Sequence, residues 1–374
     1  MKVLVIAASL HERSGWGRHT RAIVDELRTQ GIEVIVCSED TGMDMPYPVH
    51  ILLPVSSRFG VWSFVRNIWR VRRVAKTVSV VHALDGWPLG VYGLFAVIGR
   101  RTPLFINGIG TYSVAPLYAY GKKWLMHYAY RRAQKIFCIS SYTLKQMAKA
   151  GVPEEKMLVV HFGTPVLGAP NANEVRTYRA KYSIRQEQYP IILTVGAIKD
   201  RKGQFETLRA VGRLKRRYPN ILYIAAGAIH QPAYVNQMES YAKENQLTDN
   251  LLFITDADDQ TIVFLYSICS VFALNSNTDV HSHHFEGFGA VITEAYQFGV
   301  PAVGSRDSGI EDAIQDGKTG YLVSQGDASD IAEKIEKILQ NLSVFSEQTR
   351  RFVDNFSWER AIKTYVRYYE SEGN

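Results

Sequence analysis

The feature that most constrains this chain runs its whole length: short apolar, β-branched segments alternate with longer amphipathic ones. In the first half KVLVIAAS, EVIVCSE, VHILLPV, VSVVHAL, PLFINGI, KIFCISS and MLVVHFG are strand-like. Strands that alternate with helices build a parallel sheet, because a parallel neighbour is reached only by a crossover. The pattern breaks at GTPVLGAPNANE (163–174), where Pro, Gly, Asn and Ala gather without apolar period as in a linker. It then restarts with IILTVGAI, LYIAAGA, LLFIT, VFALNS, PAVGS and GYLVS. A chain of 374 residues exceeds what one core usually organises, so two α/β domains in tandem are expected, 1–165 and 166–350. The closing segment 351–374 contains WERAIKTYVRYYE, whose helical spacing and aromatic face predict a helix packed back toward the N-terminal domain.

Apolar residues at 46% and charged residues at 21% exclude a disordered or fibrous chain. MKVLVIAASL reads as a first strand rather than a secretion signal, and the uncharged stretch 86–99 is too short and too rich in Gly and Pro to span a bilayer. Cys37, Cys138 and Cys269 lie far apart within apolar runs and are expected to be reduced core thiols of a cytoplasmic protein. The net charge of +7 is unevenly spread: residues 1–165 hold 21 Lys plus Arg against 10 Asp plus Glu, so the remainder carries −4. The basic residues gather in RFGVWSFVRNIWRVRRVAK (58–76) and YGKKWLMHYAYRRAQK (120–135). Such segments fit either a face that meets anionic lipid, at the inner side of a plasma membrane, or half-buried helices with solvated basic sides. No nucleic-acid motif accompanies the charge, so no nucleic-acid partner is expected.

Parallel sheets bind ligands at the carboxyl ends of their strands, which directs attention to three loops. The first strand is followed by ASLHERSGWGRHTRAIVDEL, where Gly15 and Gly17 precede a helix expected to begin near Arg18 or His19. Glycine permits close backbone approach to a phosphate or sugar, and Arg18 with the helix dipole favours an anion. A plain tight turn would use the same glycines. After IILTVGAI, the loop from Gly196 carries Lys199, Arg201 and Lys202 ahead of a helix starting near Gly203, three cations fit to clamp a diphosphate. The third loop lies in HHFEGFGAVITEAYQFGVPAV. There the amides of Phe288, Gly289 and Ala290 open a helix running to about Gln297, while Glu294 can accept hydrogen bonds from a ribose diol and Glu286 from sugar hydroxyls. His281, His283 and His284 precede it without a second ligand cluster and read as a polar loop beside the donor sugar, not a metal site. Asp256 and Asp258 precede TIVFLYSIC and read as helix caps.

The two glutamates with seven residues between them, Glu286 and Glu294 in EGFGAVITEAYQFGVPAVGSRDSGIEDAI, resemble the E-x7-E signature of the retaining GT-B glycosyltransferases of family 4. VGAIKDRKGQFETLRAV resembles that family's strand, phosphate-binding Lys-Gly loop and helix, SGWGRHTRAIVDEL its N-terminal glycine loop, and DGKTGYLV its downstream Asp-Gly…Thr-Gly turn. The resemblance implies two Rossmann-like domains with an interdomain cleft, a nucleotide-sugar donor on the C-terminal domain, and a glycan or lipid-linked glycan acceptor on the N-terminal one. It further implies transfer with retention, aided by the leaving phosphate and needing neither cofactor nor metal. By position Lys202 would bind diphosphate, Glu294 ribose, Glu286 the donor sugar, and Gly15 would border the reacting atoms. Two departures stand out: Ala197 replaces the family's usual Arg, and PLFINGIGTYS offers Asn107-Gly108 where a His-Gly is usual, leaving Asn107 to hydrogen-bond the sugar.

Tandem Rossmann-like domains alone do not fix function. A nicotinamide oxidoreductase is disfavoured because no G-x-G-x-x-G follows the first strand. A catalytically inactive scaffold binding a membrane or partner through its basic face is the other alternative, and Ala197 and Asn107 are what favour it.

Overall fold

The computed structural model describes residues 1–11, 15–41, 44–54 and 60–372, so Arg58 and Phe59 of the first basic segment lie outside the described residues. Two compact units emerge: residues 1–163, 282–287 and 356–374 form unit 1, and residues 164–281 and 288–355 form unit 2. Residues 282–287 therefore group with unit 1 although the chain on both sides of them belongs to unit 2.

Unit 1 is built on β1 (Lys2–Ile6), β2 (Glu33–Ser38), β3 (Val49–Ile51), β4 (Val80–Ala83), β5 (Leu104–Gly108), β6 (Lys135–Cys138) and β7 (Met157–Val159). These pair in parallel in the order β3-β2-β1-β4-β5-β6-β7, with Val3 opposite Val34 and Leu4 opposite Val81. Its helices are α1 (Gly15–Thr29), α2 (Gly60–Val74), α3 (Val91–Val97), α4 (Thr111–Val114), α5 (Lys123–Arg132) and α6 (Ser141–Lys149). Helices cover both faces of a parallel sheet, which is why Val3, Leu4, Val5 and Ile6 are all fully buried and the strand reads as an unbroken apolar run.

Unit 2 repeats the plan with β8 (Ile191–Val195), β9 (Leu222–Ala226), β10 (Leu251–Ile254), β11 (Val271–Leu274), β12 (Ala302–Ser305) and β13 (Gly320–Val323), in the order β10-β9-β8-β11-β12-β13. Its helices are α7 (Ala172–Lys181), α8 (Gln204–Leu214), α9 (Pro232–Glu244), α10 (Asp259–Ile268), α11 (Ala290–Tyr296), α12 (Ala328–Gln340) and α13 (Leu342–Phe352). The last helix, α14 (Trp358–Glu372), is part of unit 1, where Tyr365 and Tyr369 are fully buried. The chain thus folds as two Rossmann-like α/β domains with parallel sheets of seven and six strands. No helix among the described residues is long and apolar enough to cross a membrane.

Two local expectations are corrected. α1 begins at Gly15 rather than near Arg18 or His19, so both glycines stand in its first turn. The segment 163–174 is not all linker, because α7 starts at Ala172 behind a capping box in which Asn171 accepts from the Glu174 amide and Glu174 accepts from the Asn171 amide. Asp258 caps α10 by accepting from Thr261 N at 2.7 Å, and those bonds hold its carboxyl below the usual range. The cysteines are free thiols, with Cys37 and Cys138 buried.

Candidate active site

Ligands of open parallel sheets sit where the strand order reverses, because neighbouring loops there leave in opposite directions and open a crevice. In unit 2 that point lies between β8 and β11. Gly196 follows β8 with φ +143°, and a Cβ on it would stand 3.9 Å from Lys202 Nζ, so the ammonium lies over the end of the strand. Lys199, Arg201 and Lys202 are brought together by a single 3-10 turn, Asp200–Lys202. Asp200 N donates to Gln231 Oε1 and Asn277 N donates to the Arg201 carbonyl, both at 2.8 Å, which ties the turn to the loops after β9 and β11. Gly203 then opens α8 in the left-handed region at φ +66°, where a side chain would meet the Asn275 carbonyl at 1.9 Å. At the departure noted above, Ala197, the carbonyl accepts from Gln204 Nε2 at 3.0 Å.

On the other side of the reversal, Phe288 is buried, Gly289 takes φ +83° at the N-cap, and Ala290 begins the seven-residue α11. Glu294 is half-buried, and its Oε2 accepts from the hydroxyl of Tyr266, a fully buried residue of α10, at 2.8 Å. The tyrosine fixes the carboxylate's direction, a contribution the local sequence does not announce because Tyr266 sits in a helix of apolar character. A hydrogen bond to a charged group is worth roughly 1.5–3 kcal/mol. If Glu294 holds a nucleotide-sugar as the resemblance implies, Tyr266→Phe is expected to raise the donor's KM about tenfold with kcat changed less than twofold. Steady-state kinetics on a soluble acceptor check this, and an unchanged KM counts against the orienting role.

Residues 282–287 are held by unit 1. The His283 ring stacks on Tyr118 with centroids 3.8 Å apart, and Phe285 enters the unit 1 core edge-on to Tyr142 at 5.1 Å. Gly287 lies so near Ile109 that a Cβ would meet the carbonyl oxygen at 2.2 Å. Phe285 and Gly287 thus anchor the half-buried Glu286 from both sides, while His284 is exposed. Glu286 and Glu294 are held by different units, which their spacing alone does not reveal.

In unit 1 the strand order reverses between β1 and β4. Gly15 is exposed, with open space where a side chain would stand, and Arg18 is exposed on α1. Gly17 has a different reason to be glycine: a Cβ would sit 2.1 Å from the His11 carbonyl, so its bare backbone lets the first turn of α1 pack on the loop before it. That loop is anchored to the loop after β2, Ser9 Oγ and Leu10 N both donating to the Asp40 carboxylate at 2.8 Å.

Asn107 requires a correction. It is fully buried in β5, and its Oδ1 is 2.8 Å from Nε2 of the equally buried His82, whose Nδ1 faces the Tyr369 hydroxyl of α14. With Oδ1 accepting, Nε2 carries the proton and Nδ1 accepts from the tyrosine, so Asn107 belongs to a core network and presents nothing to a sugar. Burial holds the His82 pKa down at about 4.

The group at this reversal that motif reading passed over is Asp85, just beyond β4. It is 5% exposed and accepts from Gly86 N at 2.7 Å and from Ser113 Oγ at 2.6 Å. Burial raises its pKa to about 7, against the lowering pull of the Ser113 and Gly86 bonds. An acid straight after VSVVHAL is visible in the sequence, but its proton is set by packing.

Two family models match the chain, Glycosyltransferase Family 4 over residues 13–166 and Glycosyl transferases group 1 over residues 175–355. Among curated relatives, the capsular polysaccharide biosynthesis glycosyltransferase CapM of Staphylococcus aureus is 24% identical over 94% of this chain and 95% of its own length. The GDP-mannose-dependent alpha-(1-6)-phosphatidylinositol monomannoside mannosyltransferase of Mycolicibacterium smegmatis is also 24% identical, but over 60% of this chain and 59% of that protein. Anabaena HepE, solved in complex with UDP and glucose, superposes with a TM-score of 0.79 at 17% identity, over 99% of this chain and 100% of that one. WaaG, a glycosyltransferase involved in lipopolysaccharide biosynthesis, superposes with a TM-score of 0.69 at 18% identity, over 97% and 98%. With a family 4 domain and a group 1 domain in sequence on two Rossmann-like folds, this chain is a glycosyltransferase of the GT-B fold.

Proposed function

We propose that the protein transfers a sugar from a nucleoside diphosphate to a glycan or lipid-linked glycan, with retention at the anomeric carbon and without a metal ion. The observation that carries this reading is the Lys202 ammonium over Gly196 at the unit 2 strand reversal, on one turn with Lys199 and Arg201. Three cations at a strand end suit a diphosphate and supply the charge that a divalent metal would otherwise bring. Glu294, directed by Tyr266, takes the ribose diol, and Glu286 takes hydroxyls of the donor sugar. Gly15, with open space where a side chain would stand, borders the reacting atoms. As the glycosidic bond to the diphosphate breaks, the departing phosphate oxygen accepts the acceptor hydroxyl's proton on the same face. The enzyme then acts by positioning and by stabilising the charge on the leaving group.

Relatives named for capsular polysaccharide and for a phosphatidylinositol mannoside support an envelope or polysaccharide glycan as acceptor. They do not agree on the donor, since one is GDP-mannose-dependent and a structural neighbour holds UDP and glucose.

Thermal unfolding with UDP, GDP, ADP or NAD, first with chelator and then with manganese, tests the proposal. A ligand at 100 times its Kd adds about 2.7 kcal/mol. Stabilisation by one nucleoside diphosphate in chelator is expected, and the anomeric configuration of the product, read by NMR with that donor, should match the donor's. Stabilisation by NAD alone would overturn the reading, an absolute manganese requirement would overturn its metal independence, and no response to any of the four favours an inactive scaffold.

A further inference from the structure

We infer that unit 1 docks on an anionic bilayer through the outer face of α2. The inner face of this helix is fixed: Val71 is fully buried, and Asn67, also fully buried, donates to the Leu53 carbonyl at 2.7 Å and accepts from the Leu53 amide at 2.8 Å. Two of its arginines are engaged in holding it down. Arg70 donates to the Ile51 carbonyl at 2.7 Å, and Arg72 to the Phe95 and Ile98 carbonyls at 2.8 and 2.9 Å. With the helix locked in rotation, Trp62, Val65, Arg66, Trp69 and Arg73 are exposed together, each three or four residues from another of the set and so on one helix face. Trp62 is 78% and Trp69 63% exposed, an unusual display for the largest apolar side chains.

The chemistry of this face selects its occupant. Tryptophan and arginine side by side are the composition of a helix lying in a membrane interface, where the indole sits at headgroup depth and cations meet anionic lipid. The described part of the segment, residues 60–76, has four arginines, one lysine and no acid. A second copy of the chain meeting this face about a two-fold axis would bring arginine against arginine, which disfavours self-association. Val61 and Val65, exposed on either side of Trp62 in the sequence, offer nothing to a base or a phosphate but match acyl chains.

The surface continues past α2. Phe64 stacks on Trp87 at 5.8 Å, Lys122 lies 5.1 Å over the other ring system of that contact, Trp87 itself, and Trp124 at the start of α5 is 82% exposed. Trp87 follows the carboxyl end of β4, so this band borders the strand ends of unit 1 where an acceptor would bind. A membrane-held acceptor would reach them without leaving its bilayer.

The inference stands apart from the proposed chemistry because vesicle binding is read without turnover. Full-length protein is sedimented with vesicles of phosphatidylcholine alone and of phosphatidylcholine with 30% phosphatidylglycerol, alongside Trp62→Ser/Trp69→Ser and Arg66→Glu/Arg73→Glu. One interfacial cation contributes about a fivefold factor in partitioning. Binding to the anionic vesicles is expected to exceed neutral binding more than tenfold and to fall at least tenfold in either double variant, with Tm and nucleotide-induced stabilisation unchanged. Equal binding to both vesicle types, variants that bind like the parent, or a dimer that dissociates in the tryptophan variant would each overturn it, as would oligonucleotide binding with no vesicle binding.

Discussion

Lys202→Ala is expected to lower kcat/KM by a factor of about 10²–10³ while leaving Tm nearly unchanged. The ammonium lies over the end of β8 on a turn tied down by the Asp200 and Asn277 backbone bonds and by Gly203. Those backbone ties remain when the side chain is cut back, so the main loss is of charge. A diphosphate gains negative charge on its leaving oxygen as the glycosidic bond breaks, so a cation there stabilises the transition state more than the ground state. The loss should consequently appear in kcat as well as in KM. Lys202→Arg keeps the charge and should recover part of the rate, whereas Lys202→Met, of similar length, should behave like alanine. A change below about fivefold in both neutral variants would remove Lys202 from the diphosphate role, and unchanged kinetics in Lys199→Ala/Arg201→Ala as well would remove the whole turn.

Much of the fold is legible because parallel strands buried on both faces need continuous apolar, β-branched runs, and those runs are what alternate along the chain. What escapes the sequence is set by distant contacts. The glycines of SGWG read as loop residues, yet Gly17 is in a helix because its bare backbone packs on His11. Asn107 looks like a strand-end donor until α14 brings Tyr369, 287 positions from His82, to complete a buried network. Glu286 and Glu294 read as one motif, but Phe285 enters a different core from the one α11 packs on. The cationic loop after β8 is the converse case. Its chemistry is local, since three cations on one short turn stay together wherever the turn goes, and Gly196, Lys202 and Gly203 are readable from sequence.

The pH dependence of stability follows from two buried groups on and just after β4 whose shifts oppose each other. His82 has its pKa lowered to about 4 by burial, so between pH 6.5 and 4 the unfolded chain binds a proton that the folded one refuses. Stability then rises with pH across that window, by about 3 kcal/mol for this residue. His19, lowered to about 4 by burial and by Arg18, pulls in the same direction from a more open position against Phe162 and Trp358. Asp85 does the reverse. Its pKa of about 7 means that from about pH 4 to 7 the folded protein keeps a proton the unfolded chain has lost, so this carboxyl's contribution falls as pH rises, by up to about 4 kcal/mol. Between pH 4 and 6.5 Asp85 offsets about one of the two histidines, so the natural protein is still expected to gain about 3 kcal/mol of stability as pH rises through that window. Asp85→Asn keeps an acceptor for Gly86 and Ser113 but cannot titrate. It should be more stable than the parent at pH 8, by about 2–4 kcal/mol, and that advantage should shrink toward zero by about pH 4 as the parent's Asp85 takes up its proton. Urea unfolding at half-unit intervals from pH 4 to 8 measures both slopes. If Asp85→Asn runs parallel to the parent throughout, Asp85 is ionised in the fold across the range and its burial has been overcome by the groups that hold it.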